Sequence, residues 1–349
     1  ASLGRALDAG PTALTYPERV TAEAGRIDVQ LQLGDLDAAA AGLAALRQRA
    51  PGSAISHHMA GRLQAARGDY PGALNELRRA AALAPDHAPT RLLLGTVLLS
   101  QGLVLQARSE VDRVLQLEPD SAEARKLMAM VQLARNDPVA ATQSLAAVTR
   151  SGRAEDPYAD RLMGAALVRA GNLEEGIAFL ERSVAAVPGD IGTRLDLAEA
   201  YLAAGRAAPA RGLLDALPES ETSERSQLLR LVAATSGQPR DEAHAAIERL
   251  VAERPGDAAL LRIAGAYLAA DGRLERGREL LAAAVETNPR EINARLALAT
   301  VEGQAGNLPA VEAQLLAVLQ VEPANQRAHL GLARLALALR AAGLKPKEV

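Results

Sequence analysis

The sequence has no cysteine and no tryptophan, a single phenylalanine, and only 2% aromatic residues among 349. Without thiols there are no disulfides, thiolate metal ligands or cysteine nucleophiles. With so few rings, the 49% hydrophobic content rests mainly on Ala and Leu, which are strong helix formers. A globular core of this size usually leans on aromatic side chains, whereas a stack of short helices does not need them. An excess of one charge is also missing. The 39 Lys and Arg against 42 Asp and Glu leave a net charge of −3, with no basic excess for a nucleic-acid partner. No segment approaches the roughly 18 apolar residues of a membrane span, and the most continuous apolar run, Leu92 to Leu99, is far shorter. The chain opens on Ala1 with no recognisable signal peptide, which reads as a mature form or an excised piece.

What is present is a period. Glycines fall at Gly34, Gly68 and Gly102, then at Gly171, Gly205, Gly272 and Gly306, on a beat of about 34 residues. Asn136 stands where the beat skips glycine, and Asn is the other residue that tolerates a left-handed backbone. Gly237 lies close to the second skipped position. Pro51, Pro85, Pro119, Pro188, Pro255, Pro289 and Pro323 keep the same beat, 17 or 18 residues after a glycine. Between the marks the pattern is helical: Leu93, Leu94, Val97 and Leu98 form one apolar stripe, and Ala107, Val111, Val114 and Leu115 a second. Glycine ends the first helix and permits a tight turn. Proline stops the second, because it has no N–H to donate. Asp120 and Asn325, just after proline, are candidate caps of the next helix.

These residues match a known family. A small residue within the first helix, Gly at the turn, two small residues on the second helix and a closing Pro appear in full as Gly61, Gly68, Ala73, Ala80 and Pro85, and again as Gly265, Gly272, Gly277, Ala284 and Pro289. The pattern resembles the tetratricopeptide repeat (TPR). The resemblance implies an all-α, right-handed superhelical solenoid of about nine helix-turn-helix repeats. They start near Val20, Ala54, Ala88, Ala122, Pro157, Ile191, Glu224, Ala258 and Ile292 and fill residues 20–325. A capping helix over 326–342 and a tail at 343–349 follow. Residues 1–19, with Gly10-Pro11 and Pro17, read as a degenerate segment or partial repeat. Arg153 and Thr222 stand where Pro is expected, and Gly237-Gln238-Pro239 is an altered turn, so kinks are expected at the fourth, sixth and seventh repeats. The Ala/Leu-rich wording of segments such as 124–145, 193–214 and 294–319 also resembles the TPR lipoproteins of the bacterial PEP-CTERM/exosortase system and exopolysaccharide-export TPR scaffolds. The lipid-anchored N-terminal cysteine of those lipoproteins is not in this chain.

No constellation for catalysis is present. There is no dinucleotide fingerprint, phosphate loop or HExxH motif. The adjacent His57 and His58 point about 100° apart on a helix and cannot share a metal, and His87, His244 and His329 read as structural. Glu174-Glu175 opens a helix, where acids suit the dipole, and Glu219 and Glu221 lie in a polar loop. The chain therefore reads as a non-enzyme without cofactor or metal.

By the geometry the resemblance implies, the fifth and ninth positions of each first helix line a concave face. The middle of that face offers Arg62, Leu92, Lys126, Met130 and Arg161 as the partner site, with Met128 and Met163 as core. An inward Lys at the fifth position with Asn at the ninth, the carboxylate clamp of chaperone adaptors, is absent, because Met130 follows Lys126. The apolar side of the last helix, Leu332 to Leu339, is the other candidate surface. The expected function is a protein- or peptide-binding scaffold of a bacterial envelope system for exopolysaccharide secretion or protein sorting, periplasmic or outer-membrane-associated. A cytoplasmic adaptor that binds a peptide or helix, and an accessory domain of a larger enzyme such as a glycosyltransferase, remain as alternatives.

Overall fold

The computed structural model describes residues 15–150, 156–218, 220–221 and 223–341. These contain nineteen α-helices and no strand. The helices run as α1 (Tyr16–Gln32) and α2 (Leu36–Arg49), α3 (Ala54–Ala66) and α4 (Tyr70–Leu83), α5 (Ala88–Ser100) and α6 (Val104–Leu117), α7 (Ala122–Ala134) and α8 (Pro138–Arg150), and α9 (Pro157–Arg169) and α10 (Leu173–Ala186). They continue as α11 (Ile191–Ala203) and α12 (Ala207–Asp215), α13 (Glu224–Thr235) and α14 (Arg240–Glu253), α15 (Ala258–Ala270) and α16 (Leu274–Thr287), α17 (Ile292–Gln304) and α18 (Leu308–Val321), and lastly α19 (Gln326–Ala341). The chain divides into two halves, Ala1–Ser183 and Val184–Val349. Arg153, Thr222, Glu219, Gly10-Pro11 and the tail at 343–349 lie outside the described residues.

Each hairpin closes on a residue with positive φ. Among the described residues these are Gly34, Gly68, Gly102, Gly171, Gly205, Gly237, Gly272 and Gly306, and Asn136 with φ 58°. The non-glycine member of the set is thus the residue whose short amide tolerates that conformation. Prolines close the second helices through the residue before them. Ala84, Glu118, Asn288 and Glu322 all take φ between −136° and −132° with ψ of 77° to 89°, since a following Pro disfavours the helical region.

Several helix starts are capped by side chains. Asp69 accepts from Gly72 N–H, Asp257 from Leu260 N–H and Asn325 from Ala328 N–H. Asp120 is not the cap of α7: Ser121 accepts from Ala124 N–H, while the Asp120 carboxylate is fully exposed and pairs with Arg125. Pro17 belongs to the first turn of α1, where its missing N–H costs nothing. That helix begins four residues ahead of Val20.

Within each half the core runs from one hairpin to the next. Val20, Ala24 and Ile27 of α1 pack with Leu43 and Leu46 of α2 and with Met59 and Leu63 of α3. Met128 and Met163 are core residues, each 6% exposed. Small residues set the spacing of the two helices: a Cβ on Gly61 would lie 2.5 Å from Leu77 Cγ, and one on Gly277 would lie 2.6 Å from the Gly265 carbonyl oxygen.

Candidate functional site

In the first half, the fifth and ninth positions of the first helices open on a groove of about 450 Å³. Its walls include His58 and Arg62 of α3, Leu92 and Thr96 of α5, Lys126 and Met130 of α7, and Tyr158 of α9. Four of the five residues singled out in the sequence therefore meet in one place. Arg161, on α9, is half-buried and is not part of this lining.

The cations of this groove already have carboxylates. Arg62 pairs with Asp28 of α1. Lys126 Nζ lies 2.6 Å from Glu123 Oε1 and 2.9 Å from Asp156 Oδ2. Lys126 is also 8% exposed, a buried residue rather than a solvated one. Burial opposes its charge, but the two carboxylates outweigh it and hold the ammonium pKa above the ordinary lysine value. Asp156, although partly desolvated, is held below the usual carboxylate range by the Ala159 N–H and by Lys126. Lys126 is drawn into the packing between hairpins, because the Asp156 carboxylate that captures it also caps α9. Met130 Sδ accepts from the Tyr158 hydroxyl at 3.1 Å, and Leu92 is half-buried.

At the groove wall the two adjacent histidines part ways. His57 Nδ1 lies 2.6 Å from Glu76 Oε2. His58 is 6% exposed, with Nδ1 3.0 Å from Thr90 Oγ1, and Thr90 also bonds His87 at 2.7 Å. Burial, then His87 and Arg62, push the His58 pKa down to about 4, opposed by Asp28. His58 is a neutral member of a buried network. Among the described residues no group of three or more His, Asp or Glu has the arrangement of a metal site.

The second half holds a larger groove of about 800 Å³. Leu296, Val311 and Leu315 form its apolar floor, with Leu330 and Arg334 of α19 at the wall. Leu330 and Arg334 are the fifth and ninth residues of α19, so this groove is built on the equivalent helix positions. Arg262 in it is neutralised by Glu224 and Glu291 at 2.7 and 2.8 Å. Arg327 and Arg334 are exposed and form no ion pair among the described residues. Leu335 of the same helix is buried, and Leu332 packs against the Ala299, Leu315 and Val318 cluster. Leu330 and Leu337 of α19 are exposed, so its apolar side is covered only in part.

One set of residues went unnoticed in the sequence. Arg125 and Arg295 donate to the carbonyls of Pro119 and Pro289, and His329 Nε2 lies 2.9 Å from that of Pro323. Each stands six residues after the beat proline and ties its helix to the preceding connection. The fixed offset was the available signal.

Consecutive helix hairpins of nearly one length, each closed by a left-handed residue, define an all-α repeat protein of the solenoid class. Family models for the tetratricopeptide repeat match residues 64–131 and 167–235, and 126–191 and 231–292, together covering 64–292 without a gap. The chain belongs to the tetratricopeptide repeat family, whose fold serves protein–protein interaction. No curated protein matches it. Among solved structures it is similar to a tetratricopeptide repeat protein from Parabacteroides merdae (16% identity, 67% of this chain and 92% of that one, TM-score 0.51). It is also similar to PilW, a type IV pilus biogenesis factor (19% identity, 59% of this chain and 96% of that one, TM-score 0.51). Among the described residues no helix is long and apolar enough to cross a membrane.

Proposed function

We propose that this chain is a non-catalytic TPR scaffold whose partner is an acidic, apolar protein segment held on the fifth- and ninth-position face of its first helices. The observation that carries the reading is the pair Arg327 and Arg334. They stand two helical turns apart on α19, beside an apolar floor and without an ion-pair partner among the described residues. Guanidinium groups grip carboxylates through paired hydrogen bonds, and the floor of Leu296, Val311 and Leu315 takes aliphatic side chains. In the first half, Arg62, Leu92, Lys126 and Met130 serve the same purpose differently, with Arg161 of α9 outside the groove lining. Their charges are met internally, so Leu92 and Met130 are the contacting groups there, and flexible methionine suits adaptable surfaces.

The setting we propose is a bacterial envelope system for exopolysaccharide secretion or PEP-CTERM protein sorting, with the chain periplasmic or outer-membrane-associated. The wording of segments 124–145, 193–214 and 294–319 supports it.

Two short helical peptides with one leucine stripe, flanked by Glu in one and by Lys in the other, test the partner chemistry by fluorescence anisotropy at low salt. The Glu peptide is expected to bind. R327E/R334E is expected to weaken it roughly tenfold, about 1.4 kcal/mol, with the helical content unchanged because both sites are exposed. Equal binding of the two peptides, or an unaffected double variant, rejects the proposal. Recovery of the tagged protein in the cytoplasmic fraction of its native cell rejects the setting.

A further inference from the structure

The sixth hairpin departs from the others. Its second helix, α12, has only nine residues, where the second helices α10 and α14 have fourteen. The space beside it is a cavity of about 260 Å³, walled by α12, α13 and α14. That is below the range of pockets for drug-sized ligands and suits a smaller one.

Arginine fills a place in this cavity that is apolar elsewhere. Arg230 is the seventh residue of its hairpin, where Ala60, Leu94, Met128, Met163, Leu197, Ala264 and Leu298 stand in others. Arg26, at the same place in the first hairpin, is exposed, but Arg230 is 4% exposed. Part of its guanidinium is accounted for: Nη2 donates to the Leu214 carbonyl at the end of α12, and Nη1 lies 3.4 Å from Asp215 Oδ1. That second contact is long for a charge-assisted bond, which is about 2.7–2.9 Å, and the Asp215 side chain is 76% exposed. Nε is buried with no acceptor. A buried guanidinium N–H without a partner is costly.

Two more arginines, Arg211 of α12 and Arg249 of α14, line the same cavity and form no ion pair among the described residues. Burial, and then Arg254, push the Arg230 pKa down, opposed by the carboxylates of Asp215, Asp257 and Glu221. Asp215, Gln238 and Glu253 also stand at the wall, and Leu214, Leu250, Ala234 and Ala246 give enough apolar surface for a few carbon atoms.

We propose that this cavity binds a small phosphate-bearing ligand, with Arg211, Arg230 and Arg249 around the phosphate. A dianion with several acceptor oxygens suits three guanidinium groups from three helices. A single carboxylate does not, since Asp215 and Glu253 already stand at the wall and leave Nε unmet. The site lies apart from the fifth- and ninth-position face and does not depend on the partner proposed for it.

Isothermal titration with inorganic phosphate, and separately with glycerol 3-phosphate, at constant ionic strength tests it. Saturable one-to-one binding is expected for the wild type. R211Q/R249Q, which changes only exposed positions and retains Arg230, is expected to weaken it at least tenfold without lowering the melting temperature in phosphate-free buffer. Tighter binding of the ester identifies an organic phosphate as the ligand class, and equal binding identifies free phosphate; both uphold the site. Absence of saturable binding, or equal affinity in the double variant, overturns it and leaves Arg230 as a cap of α12 only.

Discussion

Single residues carry the hairpins for two different reasons. Gly68 and Gly102 have φ of 78° and 72° and nothing within 4 Å of an added Cβ, so only the backbone conformation demands glycine there. Gly61 is the opposite case: an added Cβ meets Leu77 at 2.5 Å. Gly68→Val and Gly102→Val are each expected to cost about 1–2 kcal/mol through strain at positive φ. Gly61→Ala is expected to cost about 1–3 kcal/mol through overpacking. Urea denaturation measures all three. A Gly68 or Gly102 variant as stable as the parent refutes the turn assignment, and an unaffected Gly61→Ala refutes the close helix approach. His58 gives a pH dependence. Its folded pKa of about 4 lies below the ordinary 6.5, so the folded state binds fewer protons than the unfolded one. The stability from keeping it neutral is complete above pH 6.5 and is lost progressively as pH falls towards 4, by about 2–3 kcal/mol. His87, Arg62 and Asp28 face the ring, and the first two discourage its protonation. Melting curves between pH 7 and 4 should fall more steeply for the parent than for His58→Gln. Parallel curves would show that the ring titrates normally.

At the scale of elements, the beat of glycine and proline works because both act on their own backbone. Most of the element boundaries were therefore open to reading in advance: α3, α5, α7, α9, α11, α13, α15 and α17 begin at Ala54, Ala88, Ala122, Pro157, Ile191, Glu224, Ala258 and Ile292. Besides the early start of α1, the exception is α12. Without the beat proline, it ends at Asp215, and a guanidinium reaching over from α13 satisfies its Leu214 carbonyl. Arg230→Ala removes that donor and leaves the carbonyl unmet. The expected loss is about 1–3 kcal/mol, with faster hydrogen exchange in residues 207–215. Unchanged exchange there would show that α12 holds without Arg230. The caps show the same limit at finer grain. Ser121 and Asp120 are adjacent, and only the conformation of the connection selects serine as the cap and leaves the aspartate to Arg125.

For the whole molecule, the candidate site was open to reading only in part. Arg62, Leu92, Lys126 and Met130 do meet in one groove, because the fifth and ninth positions share a helix face, a matter of local geometry. Whether a charge on that face is available to a partner is not local. Asp156 lies 30 residues from Lys126 in the chain, and Asp28 lies 34 from Arg62. Packing of one hairpin on the next brings them together. The same packing leaves Arg327 and Arg334 uncompensated among the described residues and sets Arg211 and Arg249 beside the buried Arg230. The sequence alone determined the helix hairpins, their turns and their apolar stripes, since each depends on backbone preferences and a 3.6-residue period within a few residues. Only the tertiary structure decided which cations are spent on the protein's own carboxylates and which form no ion pair among the described residues, because an ion pair depends on distance in space between residues that no local rule relates.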